Sequence, residues 1–319
     1  MSSLNASTGI PAASGYPQYS GSLIHPMFGQ DLIEQFYCST VFGDISVTDY
    51  IGDLVSCGDQ ITFWKEPNVI IRDHVKDGTI KHDTVEAKPI TLSIDQAKEF
   101  SVKIAKVDEK QMCNWDSFRQ SMLNSASRRS ADEIDCDVLS TVFADADSAN
   151  RGTAAGVLSR CYNLGEVGAP LQITRDNVLE VLISIGAVLN EQCVPREDRW
   201  IVVPPKFEQL LLLSPILSSA LQSGMSQSTQ LNGMMPNMIG GFRIYVSNHV
   251  DMVTDPGTNQ QSWNILAGWK GSVVFASQLD ETRIIEDKDS WDRYYQGLMV
   301  WGFGVIQPTA LIHLYATFA

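Results

Sequence analysis

From Met112 to Val142 the residues Met112, Trp115, Phe118, Met122, Ala126, Ile134, Val138 and Val142 recur at mostly three- and four-residue steps. That spacing gathers side chains on one face of an α-helix. Asp108 with Gln111 three residues on resembles a capping box, so the pattern predicts one amphipathic helix from about 108 to 144. At 1.5 Å per residue it would be roughly 55 Å long, whereas a common globular helix has about 10–14 residues. A helix of that length cannot be covered by one small core. It must serve as a scaffold along which other parts are arranged.

The segments before it are strand-like. Ile90, Leu92, Ile94, Phe100, Val102 and Ile104 all carry even numbers and share one face if a strand runs through them, with Asp95–Glu99 as an interruption. Ile61–Trp64 and Val69–Val75 also read as strands. Asp77-Gly78 between charged neighbours is a two-residue hairpin signal. Around that turn lie Arg72, Asp73, His74, Lys76, Lys81, His82 and Asp83. A hairpin with charges on both faces has no core of its own and should project from the body.

After the helix, residues 145–170 form a Gly/Ala/Ser-rich connection. Thr174 then caps a second helix with Val178, Val181, Leu182, Ile185, Val188 and Leu189 on one stripe, ending before Pro195. Trp200–Val203 reads as a buried strand stopped by Pro204-Pro205. A short helix from about 207 to 213 follows, then another to about 222. Gly224–Gly241 is loop-like and holds Met225, Met234, Met235 and Met238; it is either an adaptable binding surface or a loop with buried methionines. Strands are expected at 242–247, 263–269, 272–276, 297–306 and 309–318. The sum is an α+β protein in which an α/β unit is inserted into a unit of sheet and long helix.

Charge narrows the function. With 23 Lys+Arg against 37 Asp+Glu the net charge is −14, the wrong sign for a protein that binds duplex by neutralising phosphates. The first basic residue is Lys65, and residues 2–24 carry no charge at all. Such a stretch lacks the apolar area to order itself and reads as an arm ordered against something else. The first 25 residues have no basic and apolar signal regions, and no apolar run approaches the ~20 residues of a membrane span. The six cysteines are scattered without C-x-x-C, which gives zinc clusters no support and suggests buried thiols in a reducing compartment.

Enzyme motifs are absent in their working forms. Gly152-Thr153-Ala154-Ala155-Gly156 lacks the Gly-Lys-Ser/Thr of a phosphate loop. Gly302-Phe303-Gly304 lies inside an apolar strand, where glycine usually admits a close neighbour. Asp145, Asp147 and Asn150 open a calcium-like spacing that Ala149 and Arg151 break. His74 and His82 could face each other across the hairpin, but no third ligand is near. No cofactor and no metal is expected.

An arm, a projecting hairpin, a very long helix and an inserted unit suit a chain that tiles with its own copies. In this order they resemble the major capsid (coat) proteins of tailed bacteriophages, particularly the short-tailed type. The likeness rests on ITLSIDQAKEFSVKIAKVDEKQ with the helix end SADEIDCDVL, within 90–139. It continues in ITRDNVLEVLISIGAVLNEQCVPREDRWIVVPPKFEQLL over 173–211 and GLMVWGFGVIQPTALIHLYA over 297–316. It implies the tailed-phage major capsid fold. The parts would be an N-terminal arm (1–60), an extended hairpin loop (65–89), a peripheral domain with spine helix (90–147), an axial domain (150–278) and return strands of the peripheral domain (279–319).

The same resemblance implies a structural, non-enzymatic role. The chain would self-assemble into hexamers and pentamers of an icosahedral head around double-stranded DNA, in the virion after assembly in the host cytoplasm. A separate scaffolding protein, a portal and a cement protein are the implied partners, with DNA held only weakly and no membrane. Subunit contacts would fall on Arg72, Asp73, His74, Lys76, Asp77, Gly78, Lys81 and His82 of the loop and on Met234 and Met235 near the capsomer centre. Two alternatives stand beside this: a non-viral protein compartment of the same fold, and an acidic cytosolic hydrolase built on paired carboxylates.

Overall fold

The computed structural model describes residues 40–48, 60–64, 71–74, 82, 89–112, 114–215 and 238–318, the side chains of 278–280 excepted. Within them helix and strand segregate into two sheets and a long helix. The even-numbered apolar residues of 90–104 lie on two strands, β2 (Pro89–Ser93) and β3 (Gln96–Ala105), except Ile94, which sits in the break between them. Along β3, half-covered residues at even positions alternate with exposed ones at odd positions, as the period of two requires.

The long helix is shorter than its pattern suggests. A short helix α2 (Lys106–Gln111) is followed by extended backbone at Met112, and α3 (Trp115–Thr141) carries the rest. Helix α2 starts before Asp108, on Ala105, without a side-chain cap, so the capping-box expectation fails. At 1.5 Å per residue α3 is roughly 40 Å long. Its only fully covered residues are Ile134, Asp135, Val138 and Leu139. The apolar stripe is therefore sealed at the C-terminal end and half-open over Trp115, Phe118 and Met122.

A three-stranded antiparallel sheet has the order β10 (Val273–Glu286), β11 (Asp292–Val305), β3. Its β10–β11 hairpin is far longer than the expected strands at 272–276 and 297–306. The polar stretch between them is also strand, paired from Val273↔Val305 to Glu286↔Arg293 with a bulge at Ser277/Leu279. Charge pairs hold the far end. The Arg293 guanidinium reaches both oxygens of Glu109 at 2.8 and 3.0 Å and Glu286 at 2.9 Å, and Lys103 reaches Asp292 at 2.6 Å.

The larger, seven-stranded sheet runs β4 (Leu171–Ile173), β12 (Leu311–Phe318), β9 (Gln261–Trp269), β5 (Arg199–Val203), β7 (Phe242–Val246), β6 (Met238–Ile239), with β8 (Met252–Thr254) also on β9. Helix α4 (Val178–Glu191) buries the whole stripe Val178, Val181, Leu182, Ile185, Val188 and Leu189; each such side chain contributes about 1.5–3 kcal/mol when fully covered. It begins four residues beyond Thr174, with Asn177 at its cap position. Helix α5 (Pro205–Leu213) opens on a proline at its first turn, where a missing N–H costs nothing. The helix expected to run to about 222 lies outside the described residues.

The closing segment 279–319 thus divides. β11 belongs with β3 in the small sheet, while β12 pairs with β9 and β4 in the large one. Near the other end, the turn α1 (Phe42–Ile45) lies between α3 and β10: Val41 and Ile45 are buried, the Phe42 and Phe275 rings are 4.9 Å apart, and Val47 bridges to Val274.

Candidate assembly surfaces

The strand β1 (Gln60–Trp64) pairs antiparallel with β2 from Gln60↔Ser93 to Trp64↔Pro89. The chain between them leaves and returns through one narrow ribbon. Residues 71–74 are fully open and carry no strand. The expected strand at Val69–Val75 is thus absent over its described part, because the partner of β1 is β2 rather than a segment next to the Asp77-Gly78 turn. Trp64 at the ribbon's far end is 70% exposed and Ile71 94% exposed.

Of the expected contact residues, Arg72, Asp73, His74 and His82 lie on this exposed surface. Lys76, Asp77, Gly78, Lys81, Met234 and Met235 lie outside the described residues. So do Met225 and the three cysteines Cys38, Cys57 and Cys113. Cys136 is half-buried, but Cys161 and Cys193 are exposed, so the expectation of uniformly buried thiols fails there. Met238, placed by the sequence in the loop-like segment, opens strand β6 instead and is exposed.

What seats the ribbon was only half visible in the sequence. Leu92 and Ile94 pack with Val274 and Ala276, joined by Val47, Ile61, Phe63, Val300 and Ile306. A Cβ at Gly302 would stand 2.4 Å from the Ser93 carbonyl oxygen and 2.8 Å from the Ile94 Cα, and one at Gly304 would stand 2.9 Å from Leu92 Cδ1. At Gly297 the Phe100 ring occupies the place of a side chain at 2.2 Å. Gly302 and Gly304 let the β2 end cross close over β11, the close approach expected of Gly302, while Gly297 makes room for the Phe100 ring of its partner on β3.

Polar anchors tie the long helix to its surroundings. Lys98 on β3 reaches Glu133 at 3.1 Å and Asp137 at 2.5 Å. Partial burial works against its charge, but those two carboxylates outweigh it and hold Lys98 above its ordinary range. Asp135, one turn before Val138 and Leu139, is fully buried. It accepts the backbone N–H groups of Val41 and Phe42 at 3.0 and 2.9 Å and the Ser247 hydroxyl at 3.3 Å. Its signal in the sequence was an acid at a position where the periodicity of the stripe calls for an apolar residue.

In the large sheet Asp255 is a second buried anchor. It accepts from Gly168, Gly257 and Thr258 amides, the Thr258 hydroxyl and the Tyr315 hydroxyl at 2.6–3.1 Å. Desolvation would raise its pKa, yet these donors hold it at about 2. Asn150, in the calcium-like spacing, is likewise structural: its amide donates to the Thr309 and Leu311 carbonyls and accepts from Gln192. Among the described residues no group of three His, Cys, Asp or Glu side chains could hold a metal ion. None of their helices is long and apolar enough to cross a membrane.

Asp135, Asp255 and Asn150 thus each brace the chain's own frame. Residues 95–314 match the family described as phage capsid protein, and the chain belongs to that family. It is a structural protein of the phage head shell, assembled from copies of itself and located in the virion capsid, and not an enzyme. That membership sets aside the carboxylate-hydrolase alternative.

Solved structures show the same fold. A structure of Mycobacterium phage Che8 is 20% identical over 93% of this chain and 98% of its own, with a TM-score of 0.69. The capsid structure of cyanophage P-SCSP1u is 17% identical over 97% of each chain, TM-score 0.68. The asymmetric unit of the bacteriophage PhiM1 mature capsid is 14% identical over 97% of this chain and 99% of its own, TM-score 0.66. No curated protein sequence matches.

Proposed function

We propose that this chain is the major capsid protein of a short-tailed phage, forming hexamers and pentamers of an icosahedral head that encloses double-stranded DNA. Residues 1–60 act as the arm and 65–89 as the extended loop. Residues 90–147 and the small-sheet part of 279–319 make the peripheral domain, and 150–278 make the axial domain, which β12 completes. Assembly takes place in the host cytoplasm with a separate scaffolding protein and a portal, and a cement protein braces the finished shell. DNA is held weakly, because a net charge of −14 repels phosphate.

The observation that supports this reading is the β1–β2 ribbon with the exposed Trp64 at its end and the exposed Ile71 and Arg72–His74 in the chain between its strands. In the proposed shell, Arg72, Asp73, His74, Lys76, Asp77, Gly78, Lys81 and His82 clasp the adjacent subunit, and Met234 and Met235 lie near the capsomer centre. Deleting His74–Asp83 tests the clasp. The variant should sediment as a soluble, folded subunit and give no closed particles by negative stain. Shells at wild-type yield from that variant would remove the loop from the interface.

A further inference from the structure

Helix α2 and the far end of the β10–β11 hairpin enclose an open, shallow notch of roughly 400 Å³, lined by Lys106, Val107, Lys110, Gln111 and Trp291. Trp291 is 79% exposed and Val107 58% exposed. Both stand on a fixed frame: the Lys106 amide donates to the Trp291 carbonyl at 3.1 Å, and the Lys106 ammonium lies 5.3 Å from the centre of the Trp291 ring. The lining holds two lysines and no acid, in a chain of net charge −14. Of the acids around it, Glu109 and Glu286 are held by Arg293, and Asp292 by Lys103. Asp108, also on α2, is exposed and not part of the lining. An apolar notch with two cations at hand suits an occupant that carries apolar and acidic side chains together.

The sequence contains such an occupant. Residues 1–64 hold six acids and no basic residue, and within them Asp31-Leu32-Ile33-Glu34-Gln35-Phe36-Tyr37 sets two acids among four large apolar side chains. This stretch lies outside the described residues, and its own copy cannot seat it in the notch. Val41 is fixed on Asp135, and Phe42 lies against Phe275 at the near end of the hairpin. From Phe275 to Glu286 the strand runs about 35 Å, and Trp291 lies beyond. Glu34, the centre of the stretch, reaches only about 25 Å from Val41 at full extension. The other acidic stretch without a base, 49–59, is tied at both ends, by Val47 on β10 and Gln60 on β2.

We propose that the notch between α2 and Trp291 receives residues 31–37 of a second copy of this chain. The Trp291 ring meets the apolar side chains of that stretch, while Lys106 and Lys110 meet Asp31 and Glu34. Tryptophan is among the residues that carry most of the energy of a protein contact, and the exposed ion pairs add register and sensitivity to salt. The contact rests on assembly from copies. It joins the first part of one chain to the hairpin tip of the next, a seam separate from that of the 65–89 loop.

A fluorescein-labelled peptide of residues 28–40, titrated into the full chain at low ionic strength, tests the contact. Binding should saturate, weaken as salt is added, and fall by about tenfold or more in Lys106→Glu/Lys110→Glu and in Trp291→Ala. None of the three side chains belongs to the buried core, and a peptide of residues 49–59 is the control. No saturable binding, binding unchanged by the substitutions, or equal binding of the control peptide would overturn the proposal. Carbodiimide treatment of mixed isotope-labelled and unlabelled chains should join Lys106 or Lys110 of one kind to Asp31 or Glu34 of the other. Links confined to one kind would place the contact within a single copy and overturn it too. A chain that forms shells while failing these tests loses this contact and keeps its place in the shell.

Discussion

At Gly302 the fold depends on the absence of a side chain. Strand β11 could carry any apolar residue there as far as its own pairing is concerned, and its neighbours Trp301 and Phe303 are large. The ribbon strand crosses so closely that even a methyl group meets the Ser93 carbonyl. Gly302→Ala should therefore destabilise by about 1–3 kcal/mol, the range for forcing extra volume into a packed contact. Chemical denaturation measures it. An unchanged midpoint would mean that the ribbon rides free of β11. Asp135 is the opposite kind of residue: a charge in an apolar stripe that one reads as a fault until its two amide partners, more than ninety positions away in sequence, are in view.

At the scale of elements, legibility followed the source of each element's stability. Helix α4 was readable because six side chains at helical spacing all go to one core. β5 was readable because five consecutive residues are buried on both faces. The outer half of the β10–β11 hairpin was invisible, since Glu281, Arg283, Glu286 and Arg293 give no apolar alternation; cross-strand pairing and ion pairs hold it. The break at Met112 was missed because the apolar spacing continues across it, while the direction of α2 is set by the Lys106 amide on the Trp291 carbonyl at 3.1 Å. The strand Ile61–Trp64 was legible, but its pairing partner was not, because β2 lies some twenty-five residues further along the chain.

The end of α4 gives a test at this scale. Arg199 is buried and donates to the carbonyls of Pro195, Val194 and Gly186 and to the Asn190 side chain, closing the helix on the first residue of β5. Burial lowers its pKa, and Arg196 adds to the effect, but no lysine could supply the same fork of donors. Arg199→Met leaves those carbonyls unsatisfied and should cost about 2–4 kcal/mol by denaturant unfolding. A loss below that range would mean that water replaces the guanidinium.

The whole molecule should be sensitive to acid through its large sheet. His313 on β12 is half-buried, stacked on Phe143 at 4.9 Å with its Nε2 2.9 Å from Asn264 Oδ1. Desolvation first, and Arg151 second, lower its pKa from 6.5 to about 4. A histidine kept neutral contributes stability above its unfolded value and loses it as pH falls from 6.5 towards 4, about 3 kcal/mol in all. Asp255, held at about 2, adds a second loss below 3.8. Thermal melts between about pH 7 and pH 3 should show the first decline in wild type and its absence in His313→Gln. A shared decline would place the acid sensitivity elsewhere.

β12 lies between β4 and β9 in the large sheet, although it follows both of them in the sequence. Until residues 311–318 have been translated, β4 and β9 have an open slot between them and the sheet cannot close. A chain interrupted before that point keeps the β4 and β9 edges that β12 would pair, an open template for pairing with other chains.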